Sequence, residues 1–284
     1  MTAIRWSDLS GWRFWRAFAH SALACVGLIV TAAGLWDVLF PDTRPKIGKI
    51  FGLLVLLAGV AYALIRTRPR PVEETYTSPA VRIKVVPGDL FDAQAHLVIG
   101  MSDTFDTDGD IIAVNSVQAQ FLRRFYGGNA PALDRNLEKA LQGTEPAEEV
   151  GKAGKTSRYA VGTVATLGGP DRHFFCVAYS GMNDRNEARA TVDGVWASLA
   201  SLWTAVCEHG NGTPVAMAVI GGGQSRLSQS LSSADAIRLQ AMSFWLRSRE
   251  EKFCDELTIV VSPDVYDTID RREIQAFLAN LRPS

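Results

Sequence analysis

Hydrophobic positions change rhythm twice along this 284-residue chain. From Ala17 to Trp36 twenty consecutive residues are uncharged, and from Ile50 to Ile65 sixteen more follow the same rule. At about 1.5 Å per residue the first run reaches about 30 Å, the thickness of a bilayer core. The second reaches about 24 Å, and more where Lys49 and Arg66 extend their charges to the interfaces. The pattern predicts a transmembrane hairpin with spans over about 17–36 and 47–65. Trp12, Trp15, Trp36 and Tyr62 sit near the span ends, where amphipathic rings favour the headgroup region. A cleaved signal peptide followed by a core helix is the competing pattern; it lacks a small-x-small cleavage site before Asp37.

Charge then divides the chain. Residues 1–72 carry nine Lys or Arg and three Asp, a net of +6, which leaves −7 for residues 73–284 of the whole chain's −1. An acidic second part lacks the basic face that nucleic acid requires, so no nucleic-acid partner is expected. The positive amino terminus fits membrane flanks instead. Three Arg precede the first span, three Lys or Arg lie in the turn and three Arg follow the second. The two flanks together outweigh the turn, which places both ends in the cytoplasm of a multi-pass protein of the bacterial inner membrane. Gly27, Gly34, Gly52 and Gly59 form small-residue stripes at seven-residue spacing that permit close helix contact. Two spans cannot enclose a pore, so a homo-oligomer, a tetramer or larger, is expected. Residues 66–80, with Pro69, Pro71 and Pro79, cannot sustain a helix and read as a linker to a domain over 81–284.

Beyond the linker, short apolar and β-branched runs alternate with segments of three-to-four periodicity. Strands are expected at 81–86, 96–101, 159–167, 172–179, 214–220 and 257–262; helices at 113–126, 186–209, 232–249 and 264–281. This is an α/β pattern with a six-stranded, mixed but mostly parallel sheet buried on both faces. Such a sheet binds ligands beyond the carboxyl ends of its strands.

Four strand exits converge on that edge. The fifth strand runs into "GGGQSRL", Gly221, Gly222, Gly223, Gln224, Ser225, Arg226 and Leu227. Three glycines leave backbone N–H groups open as an anion-binding nest, with Arg226 available for a phosphate. A tight strand-to-helix turn would use the same residues. The first strand exits at Asp89 and Leu90, where an aspartate can accept from an adenine amino group or a ribose hydroxyl; position alone equally fits a turn aspartate after Pro-Gly. The second strand exits into Ser102, Asp103, Thr104, Phe105, Asp106, Asp110 and Ile111. These acids lack the terminal Glu of an EF-hand, whose place Val114 occupies. The fourth strand exits through Tyr179 and Asn183. The four cysteines show no CxxC spacing and the four histidines are dispersed, so free thiols and no metal are expected.

The segments "VVPGDLFDAQAHLVIGMSDTFDTDGDII" and "AMAVIGGGQSRL" resemble the macro domain, and in particular the divergent macro domain of Thoeris antiphage effectors. The likeness covers about residues 81–281, and the hairpin before it matches the membrane-anchored form of that effector. It implies a three-layer α/β/α module that binds ADP-ribose derivatives and needs no cofactor. By that resemblance Asp89, with Leu90 beside it, contacts adenine, 102–111 wraps the distal ribose and 221–227 cradles the diphosphate. It further implies a nucleotide second messenger, an amino-acid conjugate of ADP-ribose such as the histidine conjugate, made from NAD by a TIR-domain partner. Binding would drive the hairpins to breach the lipid bilayer and arrest or kill the cell. Asp103, Asp106, Asp108 or Asp110 could then meet the cationic end of that ligand. Hydrolytic macro domains carry asparagines after the second strand, which "GMSDTFDTDGD" lacks, so a binder without catalytic residues is expected. A membrane-tethered ADP-ribosyl hydrolase is the alternative.

Overall fold

The computed structural model describes residues 12–39, 49–67, 71–220 and 231–282. The chain divides into two units, residues 1–71 and 72–284. In the first, helices α1 (Trp12–Leu39) and α2 (Lys49–Thr67) pack on one another. The contact depends on Gly59, where a Cβ would stand 2.7 Å from Val26 Cγ2. Gly27, Gly34 and Gly52 have nothing within 4 Å of the same position, so of the four glycines only Gly59 serves this pairing. Among the described residues one helix, over Phe18–Trp36, is long and apolar enough to cross a membrane, and Gly52–Leu64 forms a shorter apolar helix.

The second unit is built on one mixed sheet. Its strands are β1 (Val72–Thr75), β2 (Arg82–Pro87), β3 (His96–Ser102), β6 (Val164–Gly169), β7 (Arg172–Met182), β8 (Ala188–Arg189), β9 (Val215–Ala218) and β10 (Glu256–Val261). They follow the order β1-β2-β10-β9-β3-β7-β6, with β8 on β7. The β2-β10-β9-β3-β7 centre is parallel, and β1, β6 and β8 pair antiparallel at the margins. The sheet therefore has eight strands against the six expected. β1 falls within the stretch read as a linker: Val72 is buried and Glu73 to Thr75 pair with β2. A separate hairpin joins β4 (Glu148–Glu149) to β5 (Ser157–Arg158).

Side chains alternate across the pleat, so each strand feeds two cores. Val98, Phe175, Met217 and Ile259 enter the core under α5 (Val192–His209), α6 (Ser233–Glu250) and α8 (Arg271–Asn280). Leu97, Ile99, Cys176 and Val260 enter the opposite core under α3 (Val117–Tyr126) and α4 (Ala130–Ala140). The result is three layers, helix on sheet on helix.

Two helical expectations are corrected. The helix expected over 264–281 is broken into α7 (Pro263–Thr268) and α8, because Ile269 is extended and Asp270 caps a new helix by accepting from Arg272 N–H at 3.1 Å. The helix expected from 186 starts at Val192, since 188–189 pair with β7 and Thr191 supplies the cap. α4 was not expected at all.

Candidate functional site

The carboxyl ends of β3, β7, β9 and β10 open into a cavity of about 340 Å³. Gly100 and Tyr179 form part of its floor, and glycine is required there: a Cβ on Gly100 would lie 2.6 Å from the Tyr179 ring. Ile220 and Ser233, on either side of residues 221–230, both line it. The glycine loop itself, Gly221 to Leu227, lies outside the described residues. Buried Gln240 of α6 fixes the β9 exit, donating to Ala218 O at 2.9 Å and accepting from Ile220 N–H at 3.3 Å.

Of the described residues singled out from sequence, Ser102, Asp106, Ile111 and Tyr179 line the cavity. The others are held elsewhere or beneath. Asp89 caps the short 3-10 turn Leu90–Asp92, accepting from Phe91 N–H at 3.0 Å, and pairs with Arg124. Leu90 and Phe105 are buried in the core. Asp103 accepts from Met182 N–H at 2.8 Å and pairs with Arg158 Nε at 3.2 Å. Burial raises the Asp103 carboxyl, while the Met182 N–H and the Arg158 guanidinium pull it back. Thr104 donates to Asp106 Oδ2 at 2.5 Å. Asp108 accepts from Asp110 N–H at 3.0 Å, and Asp110 is exposed. Asn183 shapes the β7–β8 turn, accepting from Glu187 N–H at 2.9 Å.

The two buried acids of this loop, Asp103 and Asp106, thus already have cationic protein partners. Asp106 Oδ2 meets Lys152 Nζ at 2.6 Å and Oδ1 accepts from Lys155 N–H at 2.8 Å. The sequence reading missed a second group of lining residues, Asn115, Ser116, Gln118 and Gln120, at the start of α3. Their signal was present: polar residues on the first turn of an expected helix that follows a strand exit. Ser116 is the cap, accepting from Ala119 N–H at 3.0 Å.

Reactive groups are few. The four cysteines are free, and burial pushes the Cys254 thiol up to about 11 and Cys176 higher still, away from nucleophilic use. Among the described residues no cluster of three His, Cys, Asp or Glu could hold a metal ion.

The model of the family described as Thoeris protein ThsA, Macro domain, matches residues 83–262, which include β2 after Arg82, β3, β7, β9, β10 and the whole described lining apart from Val265. The chain belongs to this family. Among solved structures it is similar to a macrodomain of Oceanobacillus iheyensis, at 13% identity and TM-score 0.49 over 75% of this chain and 99% of that one. A macrodomain of Trypanosoma brucei in complex with ADP-ribose is similar at 14% identity and TM-score 0.45, over 70% and 72% of the two chains. No curated protein matches. In this ThsA macro domain the cavity therefore lies on the edge where an α/β sheet presents its strand exits.

Proposed function

We propose that this chain is an antiphage effector in which the macro domain senses an ADP-ribose-derived messenger. The observation that carries the reading is the coincidence of the ThsA macro match with a cavity at the carboxyl ends of four strands. ADP-ribose is the ligand in the T. brucei structure, and the family sets the expectation that a TIR-domain enzyme supplies a conjugated form from NAD. The proposed site comprises the lining residues Ser102, Asp106, Ile111 and Tyr179 with the loop Gly221 to Leu227. Asp89 and Asn183 remain proposed rim contacts. The proposed output is membrane damage by assembled α1–α2 hairpins with both ends in the cytoplasm. It is supported by the span Phe18–Trp36, the apolar Gly52–Leu64 and the exposed Leu23, Leu28 and Val38.

One observation favours a second reading, a membrane-tethered ADP-ribosyl hydrolase: an asparagine, Asn115, does reach the cavity. A single experiment separates the two. Calorimetry of the full chain in detergent with ADP-ribose and its amino-acid conjugates should show saturable binding, and chromatography should return the ligand intact. Cleaved ligand would move the hydrolase forward; absence of binding to every conjugate would remove the sensing reading.

A further inference from the structure

The hairpin β4–β5 packs its turn onto the cavity wall. Lys152, on that turn, has a fully buried side chain, and its Nζ lies 2.6 Å from Oδ2 of Asp106, which is 2% exposed and lines the cavity. Lys155 adds three ties: its N–H donates to Asp106 Oδ1 at 2.8 Å, and its Nζ donates to Phe105 O at 2.9 Å and pairs with Asp134 at 2.6 Å. Gly154 has φ +82°, and a Cβ there would collide with Ile111 and Asp106, so the turn touches the wall directly. Both Asp106 oxygens are consumed by these donors and by Thr104.

A charged pair this deeply buried is a poor stabilising device, because desolvation offsets most of its attraction. Its effect on the cavity is different. Without Lys152 the wall would present an uncompensated carboxylate to whatever binds. We infer that Lys152 is a positioning and specificity-determining residue that cancels the charge of Asp106, so that the cavity accepts a polyanion such as a nucleoside diphosphate sugar. The inference rests on the sensing reading above and adds a residue that is 46 positions from its partner in sequence.

The test is a charge series in the full chain, read by calorimetry with ADP-ribose and by thermal melting. Lys152→Met leaves a bare carboxylate and should weaken binding about tenfold or more, since like charges in a partly desolvated site repel strongly. Asp106→Asn leaves a bare ammonium and should tighten binding several-fold, and the double variant should fall between the two. Both single variants should melt below the wild type, because each strands a buried charge, while the double variant recovers. A purely structural role predicts instead that affinity follows stability, so that Asp106→Asn loses affinity together with Lys152→Met; that result, or equal affinity in all folded variants, overturns the inference. If Lys152→Met fails to fold, the comparison of Asp106→Asn with the double variant decides: weaker binding by Asp106→Asn is then the overturning result, tighter binding the supporting one. Failure of the wild type to bind ADP-ribose or any conjugate is the separate outcome that removes the sensing reading, and this inference with it.

Discussion

The helical pair and the α/β domain use the same apolar residues in opposite ways. In the domain Phe175, Leu199 and Trp203 are at most 1% exposed, shared between sheet and helices. On α1 Leu23, Leu28 and Val38 are 72%, 73% and 77% exposed, and Leu53 to Leu57 of α2 are mostly exposed too. Monomeric soluble proteins rarely expose a continuous apolar surface of this kind. The domain carries its own apolar solvent as a core; the helical pair has no such core of its own. Hydrophobicity alone does not separate these cases. Length and spacing do, since uninterrupted runs of sixteen and twenty residues have no polar face to turn outward, whereas the domain helices have one and the apolar central strands are far shorter.

The largest expected effect breaks the symmetry between the regions. Phe175→Ala removes a ring from the core at β7 and should destabilise the domain by about 3–5 kcal/mol. Leu28→Ala, a similar deletion of apolar surface, should change domain melting by no more than about 0.5 kcal/mol, because the side chain touches no core. Denaturant unfolding followed by tryptophan fluorescence measures both. Comparable losses would show that the exposed face of α1 is buried against something in the assembled protein.

The same contrast explains what could be read from sequence. Four of the five parallel central strands were legible because their apolar runs are what two-sided burial demands, and β2, "RIKVVP", because its apolar residues alternate with Arg82 and Lys84. β1 was not, since "VEET" between prolines has only one apolar residue and owes its place to β2 and to α8, where Gln275 bonds both Glu73 N–H and Glu73 O at 3.0 Å. α4 and the α7–α8 break were legible and overlooked: Asn129 before Ala-Pro and Asp270 three residues before Glu273 are helix-start signals. At the site, strand exits located the edge. Which acids on it were already paired could not be read, because Lys152 and Arg158 reach Asp106 and Asp103 from a hairpin about fifty residues downstream.

A sharper test lies inside the helical pair. Gly59→Leu should cost about 1–3 kcal/mol of α1–α2 association by overpacking against Val26, whereas Gly27→Leu at an open position should leave that pairing intact. Disulfide trapping between cysteines placed on the two helices, in detergent, would report the difference. A loss with Gly27→Leu instead would mean that its face meets another copy, and so would support the proposed oligomer.

The smallest effect concerns polarity, which the domain buries and must satisfy. His96 is fully buried at the amino end of β3; its Nδ1 accepts from His173 N–H at 3.0 Å and its Nε2 donates to Gly210 O at 3.1 Å. That arrangement needs the neutral imidazole, because a proton on Nδ1 would face another N–H. Burial lowers the His96 pKa, the Gly210 carbonyl works against it, and His173 and Arg172 lower it further. A depressed folded pKa means that the neutral form contributes stability fully above the unfolded value, about 6.5, and that this contribution is lost as pH falls below it toward the folded value. Urea unfolding of the full chain should therefore show falling domain stability below about pH 6.5, by less than the loss expected of Phe175→Ala or Gly59→Leu. His96→Gln offers a carbonyl acceptor and an amide donor that do not titrate, so its curve should start lower and fall less steeply over the same range. An unchanged slope in that variant would show that His96 is not the source of the acid sensitivity.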